Sequence, residues 1–561
     1  MKTILVTLNA KYIHTSLALR LLYVANKDRF DISFKEYIIK ENPEIIADEL
    51  LSLNPDIIGL SVYIWNVNQT KALVDYLRRK NPELIIILGG PEVMYEPQFF
   101  IKNWDIDFVI SGEGEFILGE LLEAIQNQET IQIDGVSSTT HISKIVVKAD
   151  LEKLSKLPSP YMLEEDKDEM KNKLVYFETS RGCPYQCQYC LSSLEKGVRY
   201  FPQEYLLNNL KYLIENDAKQ IKFLDRTFNL NKEHTLTIFS FLIENYRPNL
   251  SCQFEIYADL LKDKMIDYLN NNLPKNYFRF EIGIQSTYEP TNIAVKRKQD
   301  FPLLASNVRK LMDGGRIDLH LDLIAGLPYE TLERFIKSFN DVFDLKAKEV
   351  QLGFLKMLRG THLRKNAELY GYKYDKEAPY EIEYNNDISK EDLHRIHEAE
   401  HALEKYWNSG KFTRTMSHLF DSHYKGKYFE LFDEIGQYYE LNKLPHIGYQ
   451  LEDTFRHLHN FLLSNNINIL ELLRTDYYHN FKIRPNGFWH DKIEKKKKKQ
   501  LLYQIGQDKA FLLKHGFTRK IIEKQTAVDE ISETQVLLTI FLNENNYFEI
   551  ISIPYTHSLL S

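Results

Sequence analysis

The segment TSRGCPYQCQYCLSS, residues 179–193, sets Cys183, Cys187 and Cys190 on one short stretch, and the 561-residue chain has one further cysteine, Cys252. Thiols this close, in a chain too poor in cysteine for a disulfide framework, point to metal binding. Two metal chemistries suit C-x3-C-x2-C. Three thiolates on one loop can each hold a corner of a cubane iron–sulfur cluster, which leaves the fourth iron open to a small molecule. Structural zinc instead needs four closed ligands, so Cys252 would have to return to the loop from another strand. Its surroundings, SCQFEIYA, alternate as a strand does, and a lone cysteine there reads as a small buried apolar residue.

Three loops nearer the N-terminus are candidate ligand sites: LSVYIWN (60–66), LGGPEV (88–93) and SGEGE (111–115). Each follows a strand candidate, where doubly wound sheets bind their ligands. The glycines of the second and third let a large flat ligand or its tail approach the backbone. Neither GG nor GEGE fits a G-x-G-x-x-G fingerprint or a Walker loop. In the last third, His394, His397 and His401 share one helical face at i, i+3, i+7. A metal could use that face, but Leu393, Ile396 and Leu403 mark an amphipathic packing helix, which is the reading adopted. KKKKK at 495–499 follows DKIE and reads as a solvated loop or helix end rather than a phosphate contact. Tyr438 and Tyr439 of QYYEL (437–441) and Trp489 of NGFWHD (486–491) suit either a core or a recognition surface.

The elements that must position these residues fall into three blocks. Over residues 1–130, strand candidates ILVTL (4–8), DISFKEYII (31–39), DIIGLSV (56–62), LIIILGG (84–90) and DFVIS (107–111) alternate with helix-like stretches near 15–27, 44–53, 67–80 and 115–127. Runs such as LIIIL suit strands buried on both faces, so this block predicts a five-stranded, doubly wound, flavodoxin-like α/β domain. Residues 131–172, charged and broken by Pro158 and Pro160, predict a linker. Over 173–375, LVYFETS (174–180), IKFLD (221–225), CQFEIYA (252–258), FRFEIGI (278–284), DLHLDLI (318–324) and EVQLGFL (349–355) predict a partial (β/α)6 parallel barrel with its function at the C-terminal strand ends. Residues 376–561 predict a mainly helical C-terminal domain, led by SKEDLHRIHEAEHALEKYW (389–407), with a late strand at NYFEIISIPY (546–555).

The composition, 43% hydrophobic with a formal charge of −8, argues against a general nucleic-acid binder. No window approaches the 18 or so consecutive apolar residues of a membrane span. MKTILVTLNAKYIH reads as a first strand rather than a signal peptide, and the expected location is the reducing cytoplasm.

C-x3-C-x-aromatic-C after the first barrel strand, here Cys183, Cys187, Tyr189 and Cys190, resembles the radical S-adenosylmethionine (SAM) enzymes. The resemblance implies a [4Fe-4S] cluster on the three cysteines. Its open iron would chelate S-adenosyl-L-methionine, whose reductive cleavage gives a 5′-deoxyadenosyl radical. FLDRTFN (223–229), EIGIQST (281–287) and DLIAGLP (322–328) lie where that family's second, fourth and fifth strands end. By resemblance, Tyr189, Asp225, Gln285, Ser286, Ile324 and Gly326 contact SAM. Asp225-Arg226 stands where the family carries Gly-Glu, which leaves the contact to the SAM amino group unassigned. The N-terminal layout is similar to cobalamin-binding domains, which implies that Ser61, Val62, Tyr63, Gly89, Gly90, Gly112 and Glu113 line the cobalamin tail and ring. The loop NAKYIHTSLAL (9–19) departs from the Asp-x-His-x-x-Gly motif that supplies a lower histidine ligand, so His14 reads as a loop residue.

Together these resemblances imply a cobalamin-dependent radical SAM methyltransferase acting on an unactivated carbon through methylcobalamin. No catalytic acid or base is assigned. Its partners would be a substrate, which the sequence leaves unidentified, and an external one-electron reductant such as flavodoxin or ferredoxin. Two rivals stay open: a cobalamin-dependent rearrangement or cyclisation without methyl transfer, and a cobalamin/iron–sulfur sensor. An RNA methylthiotransferase would carry further cluster cysteines before Cys183, and this chain has none.

Overall fold

β1 (Lys2–Asn9) is buried along nearly its whole length, as a central strand covered on both faces must be. In the computed structural model, which describes residues 1–166, 170–481, 487–489, 493–532, 534–544 and 547–556, it pairs in parallel with β2 (Asp31–Ile38) and β3 (Ile57–Ser61). β4 (Ile85–Gly89) and β5 (Phe108–Ile110) extend the sheet in parallel, and β6 (Val136–Ser137) closes it antiparallel, in the order β2-β1-β3-β4-β5-β6. The expected five strands thus become six. The extra strand comes from the predicted linker and is too short to show an alternating pattern. It forms because the chain after β5 is flanked by its own continuation: Ser111 N–H donates to Gly135 O, and Val147 N–H to Ser111 O.

A second sheet follows. It starts with β7 (Leu174–Phe177), then a hairpin of β8 (Ser180–Cys183) and β9 (Gly197–Tyr200). The series resumes with β10 (Gln220–Phe223), β11 (Ser251–Glu255), β12 (Phe278–Gln285), β13 (Asp318–Ala325) and β14 (Glu349–Phe354). Outside the hairpin, the six strands are parallel in the order β14-β13-β12-β11-β10-β7, the expected open β/α barrel. The period-2 alternation of the strands separates two surfaces. One carries Phe177, Phe223, Phe254, Phe278 and Phe280, all buried, which meet Phe228 and Phe239 from the segments following β10. The other carries Tyr176, Lys222, Gln253, Glu255, Arg279, Glu281, Gln285, His320 and Asp322. Lys222 Nζ donates to Glu281 at 3.0 Å, and Arg279 pairs with Glu349 at 2.6 Å. The inner face is therefore polar and internally paired rather than a packed hydrophobic core.

Chain from outside the barrel lies along its margins. Leu174 N–H in β7 donates to Ile13 O at 2.7 Å. Just beyond β14, Ile382 N–H donates to Leu355 O and Met357 N–H to Tyr380 O. The compact unit built this way spans Met1–Leu393.

The second unit, His394–Ser561, is mainly helical. It ends in an antiparallel sheet of Thr526–Ser532, Gln535–Glu544 and Tyr547–Thr556, in which the expected late strand is an edge strand paired with Gln535–Glu544. Tyr439 is core, its hydroxyl 2.6 Å from that of Tyr406, and Tyr438 packs edge-on against Phe461. Trp489 is buried and donates through Nε1 to Asp529 at 3.1 Å. The remainder of NGFWHD at 486 and 490–491 lies outside the described residues, as do 167–169 of the predicted linker. The lysine run opens the helix Lys495–Gln507, with Lys497 paired to Glu530.

Candidate functional site

Cys183 ends β8, Cys187 is buried, and Cys190 closes a turn by donating its N–H to Cys187 O at 3.0 Å. Gly182 makes the hairpin possible: at φ +95° an added Cβ would stand 2.2 Å from Gly197 O. The Cys183 Sγ lies 3.9 Å from Thr227 Oγ1. Burial pushes the Cys183 thiol up, opposed by the Tyr185 backbone and by Thr227. Cys252 is fully buried near the start of β11, on the phenylalanine side of the sheet, and burial holds its thiol protonated. The other three follow the C-terminal end of β7. Cys252 therefore cannot complete a four-thiolate zinc site, and the donor set is the three-thiolate one that suits a cubane cluster.

The hairpin is gripped by the N-terminal domain. Arg181, two residues before Cys183, meets Glu113 at 2.9 Å, Glu115 at 2.7 Å and Glu178 at 2.6 Å, all four side chains being largely buried. Arg199 on β9 also pairs with Glu113 and donates to Ala149 O at 2.7 Å. Those guanidinium groups hold the Glu113 carboxyl below its ordinary range against the opposing effect of burial. Glu113 was expected against cobalamin, but its oxygens are committed to this clasp and to the Ala149 N–H.

Around the cysteine loop stand residues that no sequence signal marked. Arg297 is buried, donates to Tyr189 OH at 3.3 Å and to the Gly283 carbonyl, and lies 4.9 Å over the Tyr257 ring. Tyr257 stacks on Tyr185 at 4.3 Å. Burial raises the Tyr189 hydroxyl against the pull of Arg297, so it stays protonated. Arg226, half-exposed, sits 3.7 Å from Glu255. These side chains form a cationic and aromatic wall beside the thiols.

The remaining SAM candidates divide. Asp225 turns back to the junction of β7 and β8: it accepts from Thr179 N at 3.0 Å, Thr179 Oγ1 at 2.6 Å and Ser180 Oγ at 2.5 Å. Burial raises its carboxyl, and those donors oppose the rise. Ser286 is buried and donates to Glu330 at 2.5 Å. The Gly326 carbonyl accepts from Tyr372 OH and Asn385 Nδ2. Ile324 lies on the inner face of β13, half-buried. Gln285 differs from all of these. It ends β12 at φ +70°, a costly conformation for a residue with a side chain, and its Oε1 is buried with no hydrogen-bond partner. A strained residue presenting an orphaned acceptor beside the cysteine loop fits a hydroxyl- or amine-bearing cofactor.

In the N-terminal domain, Ser61, Val62, Tyr63, Gly89 and Gly90 come together at the C-terminal ends of the adjacent strands β3 and β4. The strand order reverses between β1 and β3, which opens the ligand crevice of such sheets there. Val62 N–H donates to Gly89 O at 2.8 Å, and a Cβ on Gly90 would stand 2.6 Å from Val62 O. A Cβ on Gly89 would meet nothing within 4 Å, so the surface before it is open to a flat ligand. Tyr63 stacks on the exposed Trp65 at 4.3 Å. Gly112 is accounted for differently, by Val147 O at 2.2 Å from its would-be Cβ. His14 hydrogen-bonds through Nδ1 to Tyr176 OH at 2.8 Å, an anchor to the barrel.

Residues 3–122 match the B12 binding domain family, 177–342 the Radical SAM superfamily and 368–546 a protein family of unknown function, DUF4080. The chain thus combines a B12-binding domain with a radical SAM domain, whose cofactors are cobalamin, a [4Fe-4S] cluster and SAM. A relative is the cobalamin-dependent radical SAM methyltransferase TokK of Streptomyces tokunonensis, 27% identical over 309 residues, covering 50% of this chain and 44% of that protein. The chain spans less than half the length of the first curated relatives it matches. In fold it resembles the cobalamin-dependent SAM radical enzyme OxsB with aqua-cobalamin bound (TM-score 0.60, 16% identity, 86% of this chain and 81% of that one). It also resembles the radical SAM methyltransferase TsrM from Kitasatospora setae with cobalamin and [4Fe-4S] cluster bound (TM-score 0.56, 16% identity, 68% and 78%).

Proposed function

We propose that this chain is a cobalamin-dependent radical SAM enzyme that methylates an unactivated carbon. The observation that carries the reading is the gripped hairpin. A three-thiolate loop at the mouth of a polar-lined barrel is fastened by Arg181 and Glu113 to the domain whose open Gly89 surface suits a corrin. When bound, the cluster delivers the electron that splits SAM, and cobalamin carries the methyl group.

The chain's own residues then have these tasks. Cys183, Cys187 and Cys190 hold the cluster. Tyr189, fixed by Arg297, and the Gln285 acceptor orient SAM, while Asp225 positions the ends of the neighbouring strands. Gly89, with Val62 and Tyr63, forms the floor of the corrin site. The paired charges of the inner barrel face keep that face ordered around a substrate. A one-electron reductant such as flavodoxin or ferredoxin supplies the electron. Among the described residues, no helix is long and apolar enough to cross a membrane; with its reduced thiols, the chain suits the cytoplasm.

The test is anaerobic incubation of the reconstituted protein with cobalamin, a strong reductant and SAM, quantifying 5′-deoxyadenosine and S-adenosylhomocysteine together. Both products are expected, with deoxyadenosine lost in Cys187→Ala. Deoxyadenosine alone, from a protein with verified cluster and cobalamin, would favour rearrangement or cyclisation. Neither product with any substrate would favour a sensor.

A further inference from the structure

The histidine row at 394–401 does not act as one face. His394 Nε2 pairs with Glu440 at 3.1 Å, while His401 turns toward His446, the two rings stacking at 4.1 Å. Glu398, one turn before His401 on the helix Lys390–Leu403, completes a group in which one ligand atom from each of Glu398, His401 and His446 lies within 4.8 Å of the others. Because 45 positions separate His401 from His446, sequence spacing gives no hint of the group.

Two details set this trio apart from an ordinary polar cluster. Glu398 Oε2 is buried and makes no hydrogen bond, although His446 Nε2 stands 3.2 Å away. A buried carboxylate oxygen this near an imidazole and yet unpartnered is an acceptor left for a third group. Ligands bound at about 2.0–2.1 Å to one tetrahedral zinc stand roughly 3.3 Å apart; the Glu398–His446 pair stands at 3.2 Å, and His401, within 4.8 Å of both, would close in on the ion. His401 Nδ1 lies 3.4 Å from Glu400, the carboxylate that orients a histidine to ligate through its other nitrogen. Behind the site Tyr439 stacks on His446 and limits its rotation. Lys405 Nζ, 3.4 Å from His446 Nδ1 and set over the Tyr439 and Tyr449 rings, puts its charge beside the other nitrogen of the ring.

We propose that Glu398, His401 and His446 bind one zinc-class divalent transition-metal ion. Two imidazoles and a carboxylate suit zinc and its neighbours rather than calcium or magnesium. Three protein ligands leave a position for water or a small ligand. The proposed site uses none of the cysteines and does not depend on the reaction assigned to them.

The full-length, cluster-loaded protein is equilibrated with zinc, desalted, and assayed for zinc, iron and sulfide. About one zinc per chain is expected beside the cluster. Its X-ray absorption should show a nitrogen and oxygen shell with imidazole scattering and no sulfur. Glu398→Gln with His446→Gln should release the zinc, weakening binding at least about 100-fold, with iron content and melting temperature kept as folding controls. His401→Asn alone should weaken binding at least about tenfold. Lys405→Met removes a nearby positive charge and should tighten retention. Zinc that persists in a folded Glu398→Gln/His446→Gln protein, a sulfur shell, or no zinc retained after desalting would overturn the proposal. Should the double variant fail to fold, His401→Asn, half-exposed and at less risk, decides in its place.

Discussion

Arg181 offers the sharpest perturbation, because Arg181→Met removes the charge on which the cluster hairpin is fastened. Its guanidinium serves Glu113, Glu115 and Glu178. Glu113 keeps Arg199, but Glu115 and Glu178 lose their counter-charge, and Glu115 Oε2 already lacks a hydrogen bond. Removing one partner of a buried pair costs about 3–5 kcal/mol, since the other is left charged in a low dielectric. Two stranded carboxylates place this variant near about 5 kcal/mol at pH 8. The sign of the pH dependence follows from Glu178. Burial already raises its carboxyl above the ordinary value, and Arg181 opposes the rise, so the variant raises it further. A carboxyl whose folded pKa lies above its unfolded one incurs no penalty when protonated in both states, and stability is lost as pH rises from the unfolded value to the folded one. The deficit relative to wild type should therefore be smaller at pH 5.5 than at pH 8. Urea unfolding of the cluster-free chain, followed by far-UV circular dichroism at both values, measures it. Arg181→Lys, which keeps charge but not the fork, should recover part of the loss. An unchanged midpoint, or a deficit that grows on acidification, would refute the reasoning.

Three further outcomes are expected. Gly89→Leu should fold normally, because an added Cβ meets nothing within 4 Å, yet should lose cobalamin on gel filtration, read from the corrin absorbance. Gly182→Ala should lower iron and sulfide content after reconstitution, since its Cβ cannot clear Gly197 O and the backbone sits at φ +95°. Glu330→Gln should stabilise the protein at pH 8 and change little at pH 5. Burial, opposed by Ser286 and Ser338, pushes this carboxyl up to about 7, so its ionisation above that pH costs about 3 kcal/mol, which thermal melting at the two values would reveal.

Both strand series were legible because their strands are apolar runs between amphipathic stretches, and the cysteine loop because thiol spacing is a local property. What escaped the reading has no local signal. SRGC and GVRY do not alternate, so the hairpin that presents Cys183 was invisible, and VS is too short to betray β6. Arg297 reaches Tyr189 across 108 positions and Arg181 reaches Glu115 across 66, distances that only the folded barrel closes. Glu113 shows the same limit: its loop follows β5 as read, but the two arginines that pair with its carboxylate, Arg181 and Arg199, lie 68 and 86 positions away.

The margins of the barrel bear on how such proteins are assembled. Strand edges left open in water invite pairing with another chain. Here Ile13 from the first domain covers the amide of Leu174, and Tyr380 to Ile382 cover the chain leaving β14. A gene segment encoding only residues 173–375 would bare both places at once and yield an aggregation-prone product. The barrel is therefore not a portable cassette. Exchange between relatives should carry the first domain and the strip beyond β14 together with the barrel.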